Sequence, residues 1–178
     1  MSGWRPGDRT ADRESMLRVD QAGEYGATRI YAGQLAVLRS NAPEAKLIAR
    51  MAAQEERHLK RFDALIAARR VRPTALQPLW NVAGFALGAA TALMSEKAAL
   101  ACTDAVETEI DRHYGQQLDE LGDDDPELAA DIAEFRAEEL EHRDTARAAG
   151  AADAVGYPIL TAVIRAGCRV AIGLSKRI

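Results

Sequence analysis

The sequence predicts an all-α protein, a four-helix bundle of two helix hairpins with additional apolar or amphipathic helices. Hydrophobic residues make up 48% of the 178 residues but aromatic residues only 5%, a balance that favours helices over sheets. Apolar residues recur at steps of three and four along four long stretches, as in buried helix faces. Short turns join these stretches in two pairs, which predicts two antiparallel hairpins.

The first hairpin is predicted to consist of helices over residues 12–40 and 44–70. Pro43 suits the first turn of the second helix. The inward-facing rows are Leu17, Glu24, Tyr31, Leu35 and Leu38 on the first helix, and Leu47, Met51, Glu55, His58, Phe62 and Leu65 on the second. Glu24, Glu55 and His58 therefore stand where a bundle buries its side chains.

The second hairpin is predicted to consist of helices over residues 95–121 and 126–149. Asp125 suits the N-cap and Pro126 the first helical position of the later helix. The inward-facing rows are Leu100, Thr103, Glu107, Ile110, Tyr114, Leu118 and Leu121, followed by Leu128, Ile132, Phe135, Glu139, His142 and Ala146. Glutamate and histidine again interrupt apolar rows, and the earlier helix is either continuous with the preceding segment or kinked from it.

Two further segments, about 76–95 and 155–178, are apolar. Residues 73–95 carry no charge, which fits either a buried core helix or a helix that lies in a membrane interface or lines an access route for an apolar substrate. Segment 155–178 places Arg165, Arg169 and Lys176 on one face. It is either a last packing helix or a basic helix on an anionic membrane surface. No uninterrupted, strongly apolar stretch reaches transmembrane length.

Composition also limits the partners and the compartment. The net charge of −4 has both signs interspersed, which argues against nucleic acid as a partner. Cys102 and Cys168 form no CxxC motif and are expected to be free thiols in a reducing compartment. Residues 1–11 are expected to be a flexible arm without a secretory signal pattern, and residues 12–178 a single domain.

The charged residues in the apolar rows repeat along the chain. Glu24 and Glu107 are 83 residues apart, and both Glu55 to Glu139 and His58 to His142 span 84 residues. Each hairpin thus offers one glutamate from its first helix and one Glu-x-x-His from its second. The lengths of the helices bring the four glutamates to a similar depth in the bundle.

This repeated set predicts a site for two metal ions. Four buried carboxylates need counter-charge, and two divalent cations with two neutral imidazoles bring the sum to zero. Mixed oxygen and nitrogen ligands suit iron or manganese. One glutamate from each of two helices and Glu-x-x-His from each of the others is the ligand set of ferritin-like di-iron carboxylate proteins.

Residues beside the ligand positions receive subsidiary predictions. Glu56, Glu138 and Glu141 are expected to face solvent, and Asp20 or Asp104 is a candidate acceptor for a ligand histidine N–H. His113 lies off the ligand face, which favours a role beside the ligands or against the substrate. Tyr114 faces inward, either as a core residue or as a proton or electron donor near the metals.

Several stretches resemble the demethoxyubiquinone hydroxylase family, the di-iron monooxygenases of ubiquinone biosynthesis. They are LRVDQAGEYGA at 17–27, RIYAGQ at 29–34, QEERHLK at 54–60, ACTDAVE at 101–107, His113-Tyr114 and EELEH at 138–142. The family ligands fall on Glu24, Glu55, His58, Glu107, Glu139 and His142. Relatives often carry histidine where this chain has Gln21 and Arg112.

The resemblance implies a reaction. Two iron ions and O2 would hydroxylate the ring of a polyprenylated demethoxyubiquinol, with NADH as reductant. Because the sequence lacks a GxGxxG motif, NADH would bind at a surface rather than in a Rossmann domain. The resemblance also implies peripheral, monotopic attachment to the cytoplasmic face of an inner membrane through segments 76–95 and 155–178. A lipid-binding partner protein of the same pathway is expected, and a homo-oligomer is compatible with it.

Two rival functions use the same fold. A ferritin-like protein that oxidises or stores iron would share the six ligands but would need no apolar face for an organic substrate. A non-catalytic membrane-bound scaffold would not need six matched ligands. The uncharged stretch and the basic last segment favour the hydroxylase.

Overall fold

A computed structural model describes residues 12–178, which form six α-helices and one short 3₁₀ helix and contain no strand. The helices are α1 (Arg13–Val37), α2 (Pro43–Arg69), α3 (Gln77–Met94), α4 (Glu96–Leu121), α5 (Pro126–Ala148) and α6 (Tyr157–Ser175), and the 3₁₀ helix is Ala151–Asp153. This confirms the all-α prediction. The predicted arm lies outside the described residues.

Local sequence signals account for the helix starts. The side chains of Asp12, Ser95 and Asp125 accept hydrogen bonds from backbone N–H groups three residues onward, at the N-termini of α1, α4 and α5. Ser95 also separates α3 from α4, because its φ of −176° and ψ of 165° are extended. The uncharged segment and the first helix of the second hairpin are therefore two helices.

The two hairpins, α1 with α2 and α4 with α5, form the bundle, and their apolar rows meet in its centre. One buried cluster includes Leu17, Phe62, Leu121 and Phe135. A second includes Tyr31, Ile48, Met51 and Leu100. Along every helix of the bundle the predicted ligand positions fall between these two clusters, so apolar side chains close the charged layer on both sides.

Helix α3 crosses α1 at very short distance, which requires glycine at the crossing. A Cβ added at Gly88 would lie 1.9 Å from the carbonyl oxygen of Ile30, and one added at Gly33 would lie 2.1 Å from that of Phe85. Gly84 likewise approaches Arg29 and the backbone of α1. The glycines of α3 therefore hold it against α1, while its opposite face stays exposed.

Helix α6 is fixed to α4 by ion pairs. The side chain of Glu109 is fully buried and accepts hydrogen bonds from Arg165 at 2.8 Å and Arg169 at 2.7 Å. Arg112 reaches the other carboxylate oxygen at 3.0 Å. These contacts hold the pKa of Glu109 below its usual value although burial works in the other direction. Arg165 and Arg169 thus bind α4, so they do not form the free basic face that one interpretation assigned to a membrane.

One helix of the described residues is long and apolar enough to span a membrane, judged by length and composition alone. It is α6, with 19 residues, a mean hydropathy of 1.4 and 11% of that window buried. The sequence-based expectation concerned uninterrupted, strongly apolar stretches, and α6 reaches this length with Arg165 and Arg169 inside it. The mean hydropathy of the helix stays high although two arginines lie within it.

Both α3 and α6 expose large apolar side chains. They are Leu79, Val82, Phe85, Leu93 and Met94 near or on α3, and Ile159, Val163, Val170 and Leu174 on α6. The end of α6 is tied to the start of α3, since the Trp80 indole N–H donates to Ser175 Oγ at 3.0 Å and Thr74 Oγ1 to the Ile178 carbonyl at 2.7 Å. Exposed apolar patches of this kind mark binding surfaces.

Candidate metal centre

Six side chains from four helices converge at the centre of the bundle, and all are at least 98% buried. They are Glu24, Glu55, His58, Glu107, Glu139 and His142. They form two groups of four, and within each group one potential ligand atom from every residue lies within 4.8 Å of the others. Glu24 and His58 belong to one group and Glu107 and His142 to the other, while Glu55 and Glu139 belong to both.

Both histidines turn the same nitrogen towards the carboxylates. His58 Nδ1 lies 3.0 Å from Glu139 Oε1 and 3.4 Å from Glu24 Oε2. His142 Nδ1 lies 3.1 Å from Glu139 Oε2 and 3.2 Å from Glu55 Oε1. A cation between these atoms would meet one imidazole nitrogen and several carboxylate oxygens, the donor set that hard to intermediate metals accept.

Several inward-facing atoms have no hydrogen-bond partner among the described residues. They are Glu24 Oε2, both carboxylate oxygens of Glu55, His58 Nδ1, Glu107 Oε2 and Glu139 Oε1. Unpartnered buried polar atoms are costly, and here they concentrate in one place. The residues therefore fit a pair of cations, which would supply the missing partners and the missing positive charge.

The pKa values show how the carboxylates crowd one another. Burial raises the pKa of Glu24, and burial together with the carboxylate of Glu139 raises those of Glu55 and Glu107 well above the usual range. Burial opposes ionisation of Glu139 too, but the imidazoles of His142 and His58 hold its pKa at about 2. Glu139 is thus the carboxylate of the four that ionises most readily when no metal is bound.

Two tyrosines orient two of the carboxylates. The hydroxyl of Tyr31 donates to Glu107 Oε1 at 2.8 Å, and that of Tyr114 donates to Glu24 Oε1. In both cases the second carboxylate oxygen stays free. Burial raises the pKa of both phenols well above their usual value, so both remain donors. Each tyrosine therefore aims one glutamate oxygen at the centre.

The sequence pattern predicted an inward position for both tyrosines, but it suggested a role near the metals only for Tyr114. Both stand seven residues after a predicted ligand, Tyr114 after Glu107 and Tyr31 after Glu24. The 83-residue repeat thus contained the signal for the pair. Each hydroxyl reaches the glutamate of the opposite hairpin, and that crossing is visible only in the structure.

The outward nitrogens of the two histidines have partners that the sequence analysis did not predict. Glu138 Oε2 lies 2.8 Å from His58 Nε2, and Gln54 Oε1 lies 2.9 Å from His142 Nε2. The expectation that Glu138 faces solvent was wrong, because its side chain is only 21% exposed and also pairs with Arg57. Glu56 and Glu141 are exposed as expected.

Neither aspartate that was proposed as an acceptor contacts a ligand histidine. Asp20 accepts from Gln117 at 2.8 Å and lies 3.4 Å from His113 Nε2. Asp104 pairs with Arg147 at 2.8 Å and accepts from the hydroxyl of Tyr157. His113 is buried and belongs to neither group of converging ligands, in line with its position off the ligand face.

An apolar cavity of about 430 Å3 lies beside the centre, between α1, α3, α4 and α6. Its walls include Gly23, Gly26, Trp80, Ile110, Ile164 and Gly167. Ala27, Ile30 and Val106 line both the cavity and a narrow gap that reaches Tyr31 and Glu107. The cavity and the gap thus share these three side chains, and Glu107 lines the gap on the side of the centre.

Comparison with known proteins gives consistent matches over nearly the whole chain. Residues 11–175 match the family model described as ubiquinone biosynthesis protein COQ7. A 3-demethoxyubiquinol 3-hydroxylase of Rhodospirillum rubrum is 57% identical over 165 residues, which cover 93% of this chain and 78% of the relative. A mitochondrial NADPH-dependent 3-demethoxyubiquinone 3-hydroxylase of Homo sapiens is 52% identical, covering 93% and 77%. A mitochondrial 5-demethoxyubiquinone hydroxylase of Saccharomyces cerevisiae is 43% identical, covering 93% and 78%.

Proposed function

The chain belongs to the family of ubiquinone biosynthesis protein COQ7, and from that premise we propose that it is a monooxygenase that hydroxylates the ring of a polyprenylated demethoxyubiquinol. The relatives are named as hydroxylases of demethoxyubiquinone or demethoxyubiquinol. The observation that carries the proposal is the convergence of two glutamates and two Glu-x-x-His pairs beside an apolar cavity.

Two iron ions are the proposed metal content. Glu24, Glu55, His58 and Glu139 would hold one ion, and Glu55, Glu107, Glu139 and His142 the other. When bound, reduced iron supplies the electrons that activate O2 for insertion of one oxygen atom into the ring. Bulk apolar packing on both sides of the layer excludes water from this chemistry.

The chain's own residues position the reactants. Tyr31 and Tyr114 each hold one oxygen of a ligand glutamate and leave the other free for metal. We assign Tyr114 and the neighbouring His113 roles in proton or electron supply, because Tyr114 touches Glu24 and His113 contacts the buried Asp20.

The cavity is the proposed site of the quinol ring and the first part of its tail. Its wall is almost entirely apolar, and it narrows towards Glu107 through Ala27, Ile30 and Val106. Cys168 lines it, and burial raises the pKa of this thiol to about 12. A protonated thiol is a weak nucleophile, so an electrophilic quinone can lie beside it without being attacked.

The exposed apolar faces of α3 and α6 are the proposed membrane contact. A polyprenyl tail partitions into a bilayer, and the cavity lies directly behind these two helices. We favour peripheral, monotopic attachment at the cytoplasmic face of an inner membrane, since both helices are also packed against the bundle. A lipid-binding partner protein and a homo-oligomer remain part of the proposal.

The reductant is proposed to be a reduced nicotinamide dinucleotide. Sequence analysis expected NADH, whereas the human relative is named NADPH-dependent. Anaerobic reduction of the purified chain with each dinucleotide distinguishes the two. The rival function of iron storage is disfavoured, because the relatives are hydroxylases and the bundle carries an apolar cavity that storage does not require.

Complementation tests the proposal. A host without its own hydroxylase accumulates the demethoxy intermediate, and mass spectrometry of its lipid extract should show conversion to ubiquinone when this chain is expressed. Glu139→Ala should abolish the conversion, and the exposed Glu141→Ala on the same helix should preserve it. Accumulation of unchanged intermediate with the well-folded wild-type chain would contradict the proposed function.

A further inference from the structure

The two predicted ligand histidines are held from behind by different chemical groups. His58 Nε2 faces the carboxylate of Glu138 at 2.8 Å, and His142 Nε2 faces the side-chain amide oxygen of Gln54 at 2.9 Å. With Nε2–H donating outward to these acceptors, each Nδ1 faces the centre, where its lone pair would be available to a bound cation. The two histidines therefore share one orientation but have unlike acceptors.

The two acceptors are equivalent positions of the repeat. Gln54 directly precedes Glu55 and Glu138 directly precedes Glu139, so they are 84 residues apart like the ligands themselves. Each reaches across to the histidine of the opposite hairpin. Both side chains are half-buried. The positions of the two acceptors are thus related by the repeat, while their charges differ.

A carboxylate acceptor changes the imidazole more than an amide does. A hydrogen bond to an ionised acceptor is roughly twice as strong as a neutral one, and it raises the basicity of the nitrogen that binds metal. His58 is also held by a stacking contact with Phe135, with ring centroids 4.1 Å apart. Met51 occupies the equivalent position on α2. His58 should consequently be the stronger and better-fixed donor.

Arg57 forms an ion pair with Glu138 at the edge of the bundle. Its guanidinium pairs with the same carboxylate oxygen that faces His58, and it is itself half-exposed. This ion pair offers a purely structural explanation for Glu138, as an anchor for α2 against α5. The two explanations differ in what happens when the carboxylate is neutralised and when Arg57 alone is removed.

We propose that Glu138 and Gln54 are positioning residues that make the two metal positions of the centre electronically unequal, with the stronger imidazole donor at the position held by His58. This inference rests on the proposed di-iron function and concerns the same site. The distinction is assigned to the exchange of a carboxylate at position 138 for an amide at position 54.

Mössbauer spectroscopy of the full-length chain loaded anaerobically with enriched ferrous iron is the direct test. The wild-type chain should show two quadrupole doublets of equal area. Glu138→Gln should move one doublet towards the other, and Gln54→Glu should also reduce their separation. The double variant Gln54→Glu/Glu138→Gln should restore two well-separated doublets, because the unlike acceptors have exchanged places.

Cobalt binding gives a second readout that does not depend on turnover. Mutation of a group that supports a metal ligand typically costs about 10- to 100-fold in metal affinity, so exchanging the carboxylate for an amide in Glu138→Gln should weaken the tighter of two Co2+ binding steps, by about 10-fold. Glu141→Gln removes the same charge from an exposed position of α5 and should change neither readout. Arg57→Gln should preserve both doublets, since the carboxylate remains.

The outcomes separate this inference from the function on which it rests. A wild-type chain that binds no iron would overturn both. Two iron sites whose doublets are unchanged in Glu138→Gln would overturn this inference alone. Equal changes in Arg57→Gln and Glu138→Gln would also overturn it and would establish the structural ion pair instead.

Discussion

The first hairpin, α1 with α2, and the second hairpin, α4 with α5, agree at their inward-facing positions and differ beside them. Glutamate, tyrosine and Glu-x-x-His recur at offsets of 83 and 84 residues, and each tyrosine reaches the glutamate of the other hairpin. The neighbouring pairs are unlike: Gln54 and Glu138, Met51 and Phe135, Asp20 and Thr103, Ile30 and His113, and Gly26 and Glu109. The two hairpins therefore carry the same residues at the metal centre and different residues around it.

The last of these pairs, Gly26 and Glu109, lies where the two apolar helices contact the bundle. On α1, the backbone at Gly26 is closely packed by α3, since a Cβ added at Gly84 would lie 3.0 Å from the Gly26 carbonyl oxygen. On α4, Glu109 at the equivalent position holds α6 through arginines. One apolar helix is therefore attached by close backbone packing and the other by charge. The cavity lies between them.

The largest expected effect concerns glutamates shared by both metal positions. Glu55 and Glu139 belong to both groups of ligands, whereas Glu24 and Glu107 each belong to one. Glu139→Ala should therefore lose both ions and all hydroxylation, while Glu107→Ala should retain one ion. Metal analysis of the purified variants measures this. Loss of both ions in each variant would mean that the positions cannot fill separately.

The equivalent residues Glu55 and Glu139 should respond in opposite ways when the metal is removed. The pKa of Glu55 is raised in the folded state, so its contribution to stability is present below about pH 4.5 and is lost as the pH rises. The pKa of Glu139 is lowered to about 2, so its contribution to stability is present above about pH 4.5 and is lost as the pH falls towards 2. At neutral pH, Glu55→Gln should stabilise the metal-free chain.

Glu139→Gln should destabilise the same metal-free chain by about 3 kcal/mol, because it removes the carboxylate partner of two buried imidazoles. Denaturant unfolding with a chelator present measures both variants. For each proton that the folded state holds in excess, the free energy of unfolding should fall by about 1.4 kcal/mol per pH unit. The same sign of effect in both variants would refute the asymmetry.

The two tyrosines test whether equivalent positions have equivalent roles. Tyr31→Phe and Tyr114→Phe each remove a buried donor from a carboxylate, which should lower the free energy of unfolding by about 1–3 kcal/mol. Only Tyr114 has the buried Asp20 and His113 near it, so only Tyr114→Phe should also slow turnover. Quinol hydroxylation assays at matched iron content decide this. Equal loss of turnover would assign both phenols the same role.

Filling the cavity should affect binding without affecting the metal. No atom lies within 4 Å of a Cβ added at Gly26, which lines the cavity, so Gly26→Leu should occupy space proposed for the quinol. Loss of apolar contact worth about 1.5 kcal/mol corresponds to about a tenfold higher KM. Ala53→Leu on the exposed face of α2 is the matched control. An unchanged KM in both variants would place the substrate elsewhere.

The smallest effect is expected at the position of α4 that matches Gly26. Glu109→Gln weakens ion pairs whose arginines are nearly half exposed, and such pairs contribute roughly 1 kcal/mol or less. The change should appear as faster hydrogen exchange in α6 with α3 unaffected. It should disappear at acidic pH, because the lowered pKa of Glu109 makes its stabilising contribution vanish as the carboxyl protonates. Equal loosening of α3 would show that the two attachments are not separate.

Sequence analysis predicted the helices of the bundle and the six residues that converge, because both depend on spacing. It placed Arg165 and Arg169 on a basic face of a terminal helix but had no means of pairing them with Glu109, which lies 56 and 60 residues earlier. It expected Glu138 in solvent because that residue neighbours an inward position. On α5 the side chain nevertheless bends towards His58 of α2. It missed the function of Tyr31, although the repeat marked it.

The sequence alone determined the two hairpins, their two-fold repeat and the identity of the six converging side chains, since helical periodicity fixes which residues share a face. Tertiary structure decided which atoms meet across that face. In the folded chain, each tyrosine donates a hydrogen bond to a glutamate of the opposite hairpin, and each histidine contacts an acceptor on the opposite hairpin. A cavity lies between α3 and α6. Those contacts depend on the distances and rotations between helices, which arise from packing and are not encoded in the spacing of any one helix.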